Sequence, residues 1–204
     1  SIEAFRARVD FGGPSARRDA EALFRERLLE HATRYRTLGN AGLVEYHDSD
    51  PPIRAADELA ALLGSWPSLL DGFPELRGCV AGYPQHTCGS ATEFLYWQEV
   101  RFGLKPFIRL SHFVVQESTA ATVVASKMLY ASHYFRGGLE LRVLLPDPER
   151  GRGYWLVTVT RSRPDGLTGL IGRLIRGRIR SEARKGVHNM LESAKRRLER
   201  QPAR

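Results

Sequence analysis

The sequence predicts an α+β protein in which an antiparallel meander of four to five strands packs on a long C-terminal helix. Two observations predict this fold. Residues 93–162 are rich in β-branched and aromatic side chains and are punctuated by turns that contain glycine and proline. Residues 165–200 then carry apolar side chains at steps of three and four, which is the period of one amphipathic helix.

The N-terminal part, residues 1–90, is predicted to be mainly helical. A helix over residues 15–38 has one apolar face, and Gly39 with Asn40 supplies its C-terminal cap. The predicted elements lie in order at 1–9 (a helical turn or two), 15–38, 48–52 (a turn-rich linker), 53–63, 67–70, 74–80 and 83–90 (a loop). We expect this part and residues 91–204 to form one continuous domain.

The strands of the meander follow from residue 91 onward. Predicted strands occupy residues 93–102, 107–116, 122–135, 139–145 and 154–162. The first of these is ambiguous between strand and helix, and its aromatic residues favour a strand.

The pair Gly137-Gly138 sets the predicted register of the sheet. A two-residue hairpin turn there places Arg136 opposite Leu139 and Tyr134 opposite Leu141, whereas a three-residue turn would invert half of this assignment. One face then holds Met128, Tyr130, Ser132 and Tyr134 with Leu139, Leu141, Val143 and Leu145, as an apolar cavity wall that carries hydroxyls. The other face holds Lys127, His133, Glu140 and Arg142, and is solvated or covered by a helix.

The charge of the chain is concentrated in its last quarter. The net formal charge is +8, and residues 150–204 have 15 Lys and Arg against 4 Asp and Glu, a net +11. Arg173, Arg176, Arg180 and Arg184 lie on the polar side of the C-terminal helix. They are either a solvated face or a surface that anionic lipid headgroups attract, and nucleic acid is a weaker third partner because no binding motif accompanies them.

The sequence gives less information on the cellular compartment and on the redox state of the two cysteines than it gives on the fold. No run of about 18 apolar residues predicts a membrane span. Residues 1–10 are charged throughout and carry no export signal, so we expect the chain to begin as a mature or trimmed protein. Cys79 and Cys88 are interpreted as two buried or incidental thiols in preference to a disulfide.

Several motifs resemble a family of uncharacterised bacterial proteins. They are E-F-L-Y-W at 93–97, F-G-L-K-P at 102–106, A-S-K-M-L-Y-A-S-H-Y-F at 125–135 and R-S-R at 161–163. The resemblance extends weakly back to Phe5. It implies export to the periplasm or beyond and a further N-terminal segment, and it implies no assigned activity.

The strand meander with its closing helix more remotely resembles the START-like helix-grip fold. Members of that fold hold lipids, sterols or polyketides between sheet and helix. The resemblance implies an apolar ligand, and fold analogy alone does not establish a function.

The leading functional interpretation is non-catalytic binding or carriage of an apolar ligand, such as a lipid, between the sheet and the C-terminal helix. No cofactor is predicted, because no nucleotide, phosphate or hydrolase motif is present. The predicted ligand-binding residues are Met128, Tyr130, Ser132, Tyr134, Leu141, Val143 and Trp97. For Trp97 the sequence favours a place in the core over a place in the cavity wall.

Two alternatives stay open. An enzyme of the cyclase or hydrolase type would use His112 or His133 with a tyrosine for acid–base chemistry. An interaction module would bind no small ligand. No metal is predicted, because the histidines and cysteines lack a metal-ligand spacing.

Overall fold

The N-terminal part of the molecule is a layer of helices. The computed structural model describes residues 2–65, 70–86, 88–102, 105–151, 153–165 and 169–200, and shows an α+β protein. The layer comprises α1 (Ile2–Arg8), α2 (Ala16–Leu38), a 3₁₀ turn (Gly39–Gly42), β1 (Glu45–Tyr46), β2 (Ile53–Arg54), α3 (Ala55–Gly64) and α4 (Pro74–Gly82). The helix predicted at 67–70 lies, apart from Leu70, outside the described residues.

Helix α2 confirms the prediction for residues 15–38 almost to the residue. Leu28 and Tyr35, two turns apart, are buried on one face. Gly39 ends the helix with φ of 61° and donates its backbone N–H to the carbonyl of Tyr35. That backbone conformation is readily available to glycine alone.

The second part is a five-stranded antiparallel sheet, as predicted, and its strand order follows the sequence. The strands are β3 (Thr92–Phe102), β4 (Lys105–Glu117), β5 (Thr122–Ala131), β6 (Phe135–Asp147) and β7 (Gly153–Pro164). Strand β3 resolves the strand-or-helix ambiguity of residues 93–102 in favour of a strand. The short pairing of β1 with β2 was not predicted, because two-residue strands leave no periodic pattern.

One face of the sheet packs against α2, α3 and α4, and the core lies between them. Leu76 and Cys79 of α4 share a buried cluster with Val114, Val123 and Leu141 of the sheet. A second buried cluster joins α2 and α3 to β4 and β5; its members are Leu28, Tyr35, Leu43, Ala55, Leu59, Leu110 and Leu129. Helices and sheet therefore share their core.

The predicted register between β5 and β6 is wrong. Lys127, and not Arg136, lies opposite Leu139, and Ala125 lies opposite Leu141. Lys127 therefore shares the helix-covered face with Leu139 and Leu141. Met128 lies on the other face, with Glu140 and Arg142, so the predicted cavity wall does not form.

The turn between these strands lies at residues 132–134, where Tyr134 adopts a φ of 69°. Gly137 and Gly138 lie within β6, and both are buried. A Cβ atom on Gly137 would lie 3.4 Å from Cβ of Glu58 in α3, and one on Gly138 would lie 3.1 Å from Cε of Met128. These glycines allow close packing on the strand and do not form the hairpin turn.

Helix α5 (Gly169–Arg200) follows β7. Its Gly186, Val187 and Met190 line a cleft with the sheet. The side chains of residues 169–176, 178–180, 182–183, 198 and 200 lie outside the described part of the chain, so the packing of the full apolar stripe stays a prediction. Within the described residues, no helix combines the length and apolarity that a membrane span requires.

Candidate functional site

A polar cluster is buried where α2 and α4 cover the sheet. Lys127 on β5 and His112 on β4 lie opposite one another in the register. Their exposed fractions are only 1% and 2%. Charged and titratable side chains are rarely buried to this degree without specific partners.

The ammonium group of Lys127 has partners from the helical layer. Its Nζ donates to Oδ1 of Asn40 at 2.7 Å and to the carbonyl oxygen of Val80 at 2.8 Å. The same nitrogen lies 4.9 Å from the centre of the Tyr35 ring. Burial lowers the pKa of Lys127 to about 7, and the charge of Glu93 acts in the opposite direction.

His112 lies between a tyrosine and a carboxylate. Its Nδ1 is 2.8 Å from the hydroxyl of Tyr35, and its Nε2 is 3.0 Å from Oε2 of Glu93. Burial, and next the charge of Lys127, lower the pKa of His112 to about 3, and burial raises the pKa of Tyr35. The imidazole is therefore neutral near pH 7: Nε2–H donates to Glu93, and the Tyr35 hydroxyl donates to Nδ1.

A disulfide between Cys79 and Cys88 adjoins this chain of hydrogen bonds. The interpretation of these residues as separate thiols is wrong. Helix α4 presents Cys79 to the sheet, and the following loop returns Cys88 until the two Cα atoms are 4.8 Å apart, within bridging range. Both sulfurs, Oε2 of Glu93 and a ring nitrogen of His112 lie within 4.8 Å of one another.

An open groove lies beside the polar cluster, between the N-terminal helices and the end of β5. Its volume is about 1070 Å³, comparable to the largest small-molecule sites, which reach about 1,000 Å³. The lining is mainly apolar and aromatic, with a rim that carries charges of both signs. The apolar lining residues include Phe5, Phe11, Phe24, Val44, Tyr46, Tyr130 and Ala131.

Aromatic rings from α2 and β5 contact one another along the groove. The His31 ring stacks on that of Tyr130 with centroids 4.9 Å apart, and Phe24 lies 6.4 Å from Tyr130. The hydroxyl of Tyr46 accepts a hydrogen bond from the backbone N–H of Ala131. Since Tyr35 follows His31 by one helical turn, α2 and β5 contribute both to the groove and to the polar cluster.

A second cleft lies between the opposite face of the sheet and α5, with a volume of about 320 Å³. Its apolar lining includes Met128, Phe107 and Val187, and Arg109, Glu140 and Arg142 also line it. Within the described residues, the buried hydroxyl of Ser111 has no hydrogen-bond partner there. This cleft is smaller than the groove, and its charged lining residues are mainly basic, with four arginines and one glutamate.

The predicted ligand-binding residues are distributed over the molecule. Tyr130 and Ser132 line the groove, whereas Met128 lines the cleft beside α5. Leu141 is buried in the core, and Val143 packs against it. The hydroxyl of Tyr134 accepts from the backbone N–H of Lys105, and Trp97, 49% exposed, lies on the first strand of the sheet.

The two candidate catalytic histidines do not meet. His112 belongs to the buried cluster, whereas His133 lies in the turn after β5, where its Nδ1 is 3.0 Å from the hydroxyl of Ser132. Of the predicted surface arginines, Arg184 is exposed, and the side chains of Arg173, Arg176 and Arg180 lie outside the described residues.

Sequence reasoning missed Tyr35, Asn40 and Glu93 as a group and assigned Lys127 to the wrong face. Two signals point to the cluster in retrospect. Lys127 interrupts an otherwise uncharged strand, T-V-V-A-S-K-M-L-Y-A, and Tyr35 lies on the apolar face of α2. Neither signal identifies a partner more than 70 residues away.

Comparison with known proteins adds no identification: no family model, no curated protein and no solved structure matches the chain. The resemblance to helix-grip proteins therefore remains a prediction, and function must be argued from the geometry alone.

Proposed function

We propose that the protein binds an apolar ligand, a single-chain lipid, in the groove between α1, α2 and β5. The volume and apolar lining of this groove are the observation that carries the proposal. Apolar area removed from water contributes about 25 cal/mol per Å², so an acyl chain gains most where aromatic side chains surround it.

The rim of the groove favours a lipid head group without net charge. Arg6 and Arg27 line the groove together with Glu30, Glu45 and Asp48, and Arg27 pairs with Glu30 on the same helix at 2.8 Å. Cations and anions are nearly balanced there. A zwitterionic or neutral head group therefore finds partners of both signs, whereas a strongly anionic one meets carboxylates.

The same proposal retains a long helix α5 packed along the other face of the sheet, as in the helix-grip architecture. The cleft beside Val187 and Met190 supports this packing. We place the apolar ligand in the groove and not in this cleft, because the groove is about three times larger, 1070 Å³ against 320 Å³.

Catalysis by His112 or His133 has less support. Neither residue belongs to the lining of the groove, and His112 is almost fully buried. A general base must lie within hydrogen-bond reach of the proton that it removes.

The test is a displacement titration with a fluorescent lysophosphatidylcholine. Phe11, 60% exposed, lines the groove, so Phe11→Asp introduces a charge there without removing a buried side chain. We expect Phe11→Asp to weaken binding by about tenfold, which is a loss of about 1.4 kcal/mol, and Tyr130→Asp to weaken it further.

The matched control is Trp97→Asp, an aromatic-to-aspartate change at a position that does not line the groove. This variant should bind as the unaltered protein does. Equal losses in Trp97→Asp and Phe11→Asp would contradict the assignment of the groove. Circular dichroism verifies that each variant is folded.

A further inference from the structure

The disulfide, His112 and Glu93 together have the composition of a metal site. We propose that reduction of the Cys79–Cys88 bond creates a zinc site whose four ligands are Cys79, Cys88, His112 and Glu93. The proposal is independent of lipid binding, because none of these residues lines the groove.

The distances between the potential ligand atoms suit tetrahedral coordination. Oε2 of Glu93 lies 3.0 Å from Nε2 of His112 and 3.1 Å from Sγ of Cys88, and no two of the four ligand atoms are more than 4.8 Å apart. Metal–ligand bonds of 2.0–2.3 Å give tetrahedral edges of roughly 3.3–3.8 Å. Side-chain shifts of about 1 Å would therefore complete the site.

The donor set selects zinc by its chemistry. Two thiolates, one imidazole and one carboxylate match a borderline-soft ion that takes four ligands. Calcium and magnesium prefer oxygen donors alone and a higher coordination number. Because all four positions are protein ligands, the site is of the closed, structural kind.

Tyr35 provides the outer partner that a zinc-bound histidine requires. Its hydroxyl lies 2.8 Å from Nδ1 of His112. When Nε2 binds the metal, the ring proton moves to Nδ1 and is donated to the Tyr35 oxygen, which fixes the ring orientation. The hydrogen bond between Tyr35 and His112 can therefore form with either tautomer of the imidazole, with the direction of donation reversed.

Access to the site is through Glu93. Its side chain is 38% exposed, whereas that of His112 is 2% exposed. Cys79 and Cys88 are buried, with exposed fractions of 0% and 8%, so reduction and metal entry require a local opening beside Glu93.

The Cys79–Cys88 disulfide and the zinc-bound form of the site cannot exist at the same time. A dithiol reductant transfers two electrons and two protons to the sulfur–sulfur bond and itself becomes a disulfide, leaving the thiols of Cys79 and Cys88. Zinc binding then displaces one proton from each thiol. The sulfurs of the intact disulfide carry no charge and are poor ligands for zinc.

The main experiment compares one protein in two redox states, so it needs no variant. The chain is reduced with a phosphine or left oxidised and is titrated with Zn²⁺ and, separately, with Co²⁺. We expect one ion per chain in the reduced form, with the thiolate-to-cobalt charge-transfer absorption of tetrahedral Co²⁺, and at least 100-fold weaker binding in the oxidised form. Equal affinity in both forms would overturn the proposal.

Variants then identify the ligands. Cys88→Ser and His112→Gln should each weaken zinc binding by at least 100-fold, and Glu93→Gln by about tenfold, since a carboxamide oxygen is a poor zinc ligand. Glu75→Gln and His133→Gln are the matched controls and should bind normally. Normal binding by Cys88→Ser, or losses of the same size in the controls, would contradict the assignment.

Discussion

Lys127 is the residue whose burial most influences the electrostatics of this protein. It has an exposed fraction of 1% and is hydrogen-bonded to Asn40 and to the carbonyl of Val80. Burial lowers its pKa from 10.5 to about 7, whereas the unfolded chain retains a value near 10.5. Between these values, the unfolded state binds the proton more strongly than the folded state.

Stability should therefore rise with pH between about 7 and 10.5. The slope contributed by Lys127 is at most about 1.4 kcal/mol per pH unit. We expect Lys127→Met to remove this contribution, because methionine has a similar length and does not titrate. Urea denaturation at several pH values measures the slope for both proteins.

Lys105, which is exposed, offers the control. Lys105→Met should keep the slope of the unaltered protein. An unchanged slope in Lys127→Met would show that this lysine stays protonated in the folded state throughout the range.

At the scale of single residues, the sequence shows which side chains can titrate. It does not show where in the fold those side chains lie. The sequence alone identifies His112 and Lys127 as titratable residues on strands. Their faces depend on the register, and a one-residue shift moves every side chain of a strand to the opposite face. The partners Tyr35 and Asn40 lie 77 and 87 residues away, a distance that no local pattern spans.

At the scale of the elements, glycine has different structural roles at the end of α2 and inside α5. Gly39 ends α2 at a φ of 61°, and a Cβ atom there would collide with the carbonyl oxygen of Tyr83. Gly177 lies inside α5, and a Cβ atom added there would meet no described neighbour within 4 Å. The first glycine is required by the backbone, whereas the second only lowers helix propensity.

We expect opposite effects from the same substitution at these positions. Gly39→Ala should destabilise the protein by at least about 3 kcal/mol, from backbone strain and overpacking together. Gly177→Ala should stabilise it by up to about 1 kcal/mol, as expected for alanine inside a helix. Urea denaturation midpoints measure both, and a neutral Gly39→Ala would contradict the requirement for glycine.

Element types were largely predictable, and one turn was not. The periodicity of α2 and the β-rich run of the sheet are properties of contiguous residues, so the sequence contains them directly. Gly137-Gly138 resembles a hairpin turn, but its glycines accommodate α3 and Met128. Glycine is favoured both in tight turns and where two elements pack closely. Only the structure shows which of these two reasons applies to Gly137 and Gly138.

On the scale of the whole molecule, charge is distributed unevenly along the chain. Residues 150–204 have a net charge of +11, from 15 basic and 4 acidic residues. Arg184, Lys195 and Arg196 in α5 are exposed. The basic region therefore remains a candidate for contact with anionic membrane surfaces.

We expect weak, salt-sensitive binding to vesicles that contain anionic lipid. Each basic group near such a surface contributes about 1 kcal/mol, and the attraction decays within a Debye length. Replacing Arg176, Arg180 and Arg184 by Glu should abolish this binding in a vesicle sedimentation assay. Equal binding to neutral and anionic vesicles would remove the electrostatic explanation.

A matched change on another helix controls for net charge. Arg25, Arg34 and Arg36 are exposed on α2, and replacing them by Glu alters the net charge by the same amount. If position matters, the α2 variant should retain binding. Loss of binding in both variants would indicate that only the overall charge counts.

The sequential strand order of the sheet has a consequence for chain entropy. Neighbouring strands of the meander are joined by short connections, so each hairpin closes a small loop. The bonds from Tyr35 to His112 and from Asn40 to Lys127 close loops of 77 and 87 residues. Each doubling of a loop costs about 0.6 kcal/mol, so these closures cost roughly 2–3 kcal/mol more than a hairpin when made alone. Because the sheet aligns His112 and Lys127 side by side, docking of the helical layer forms both bonds in one closure, and the entropy of loop closure is lost once and not twice.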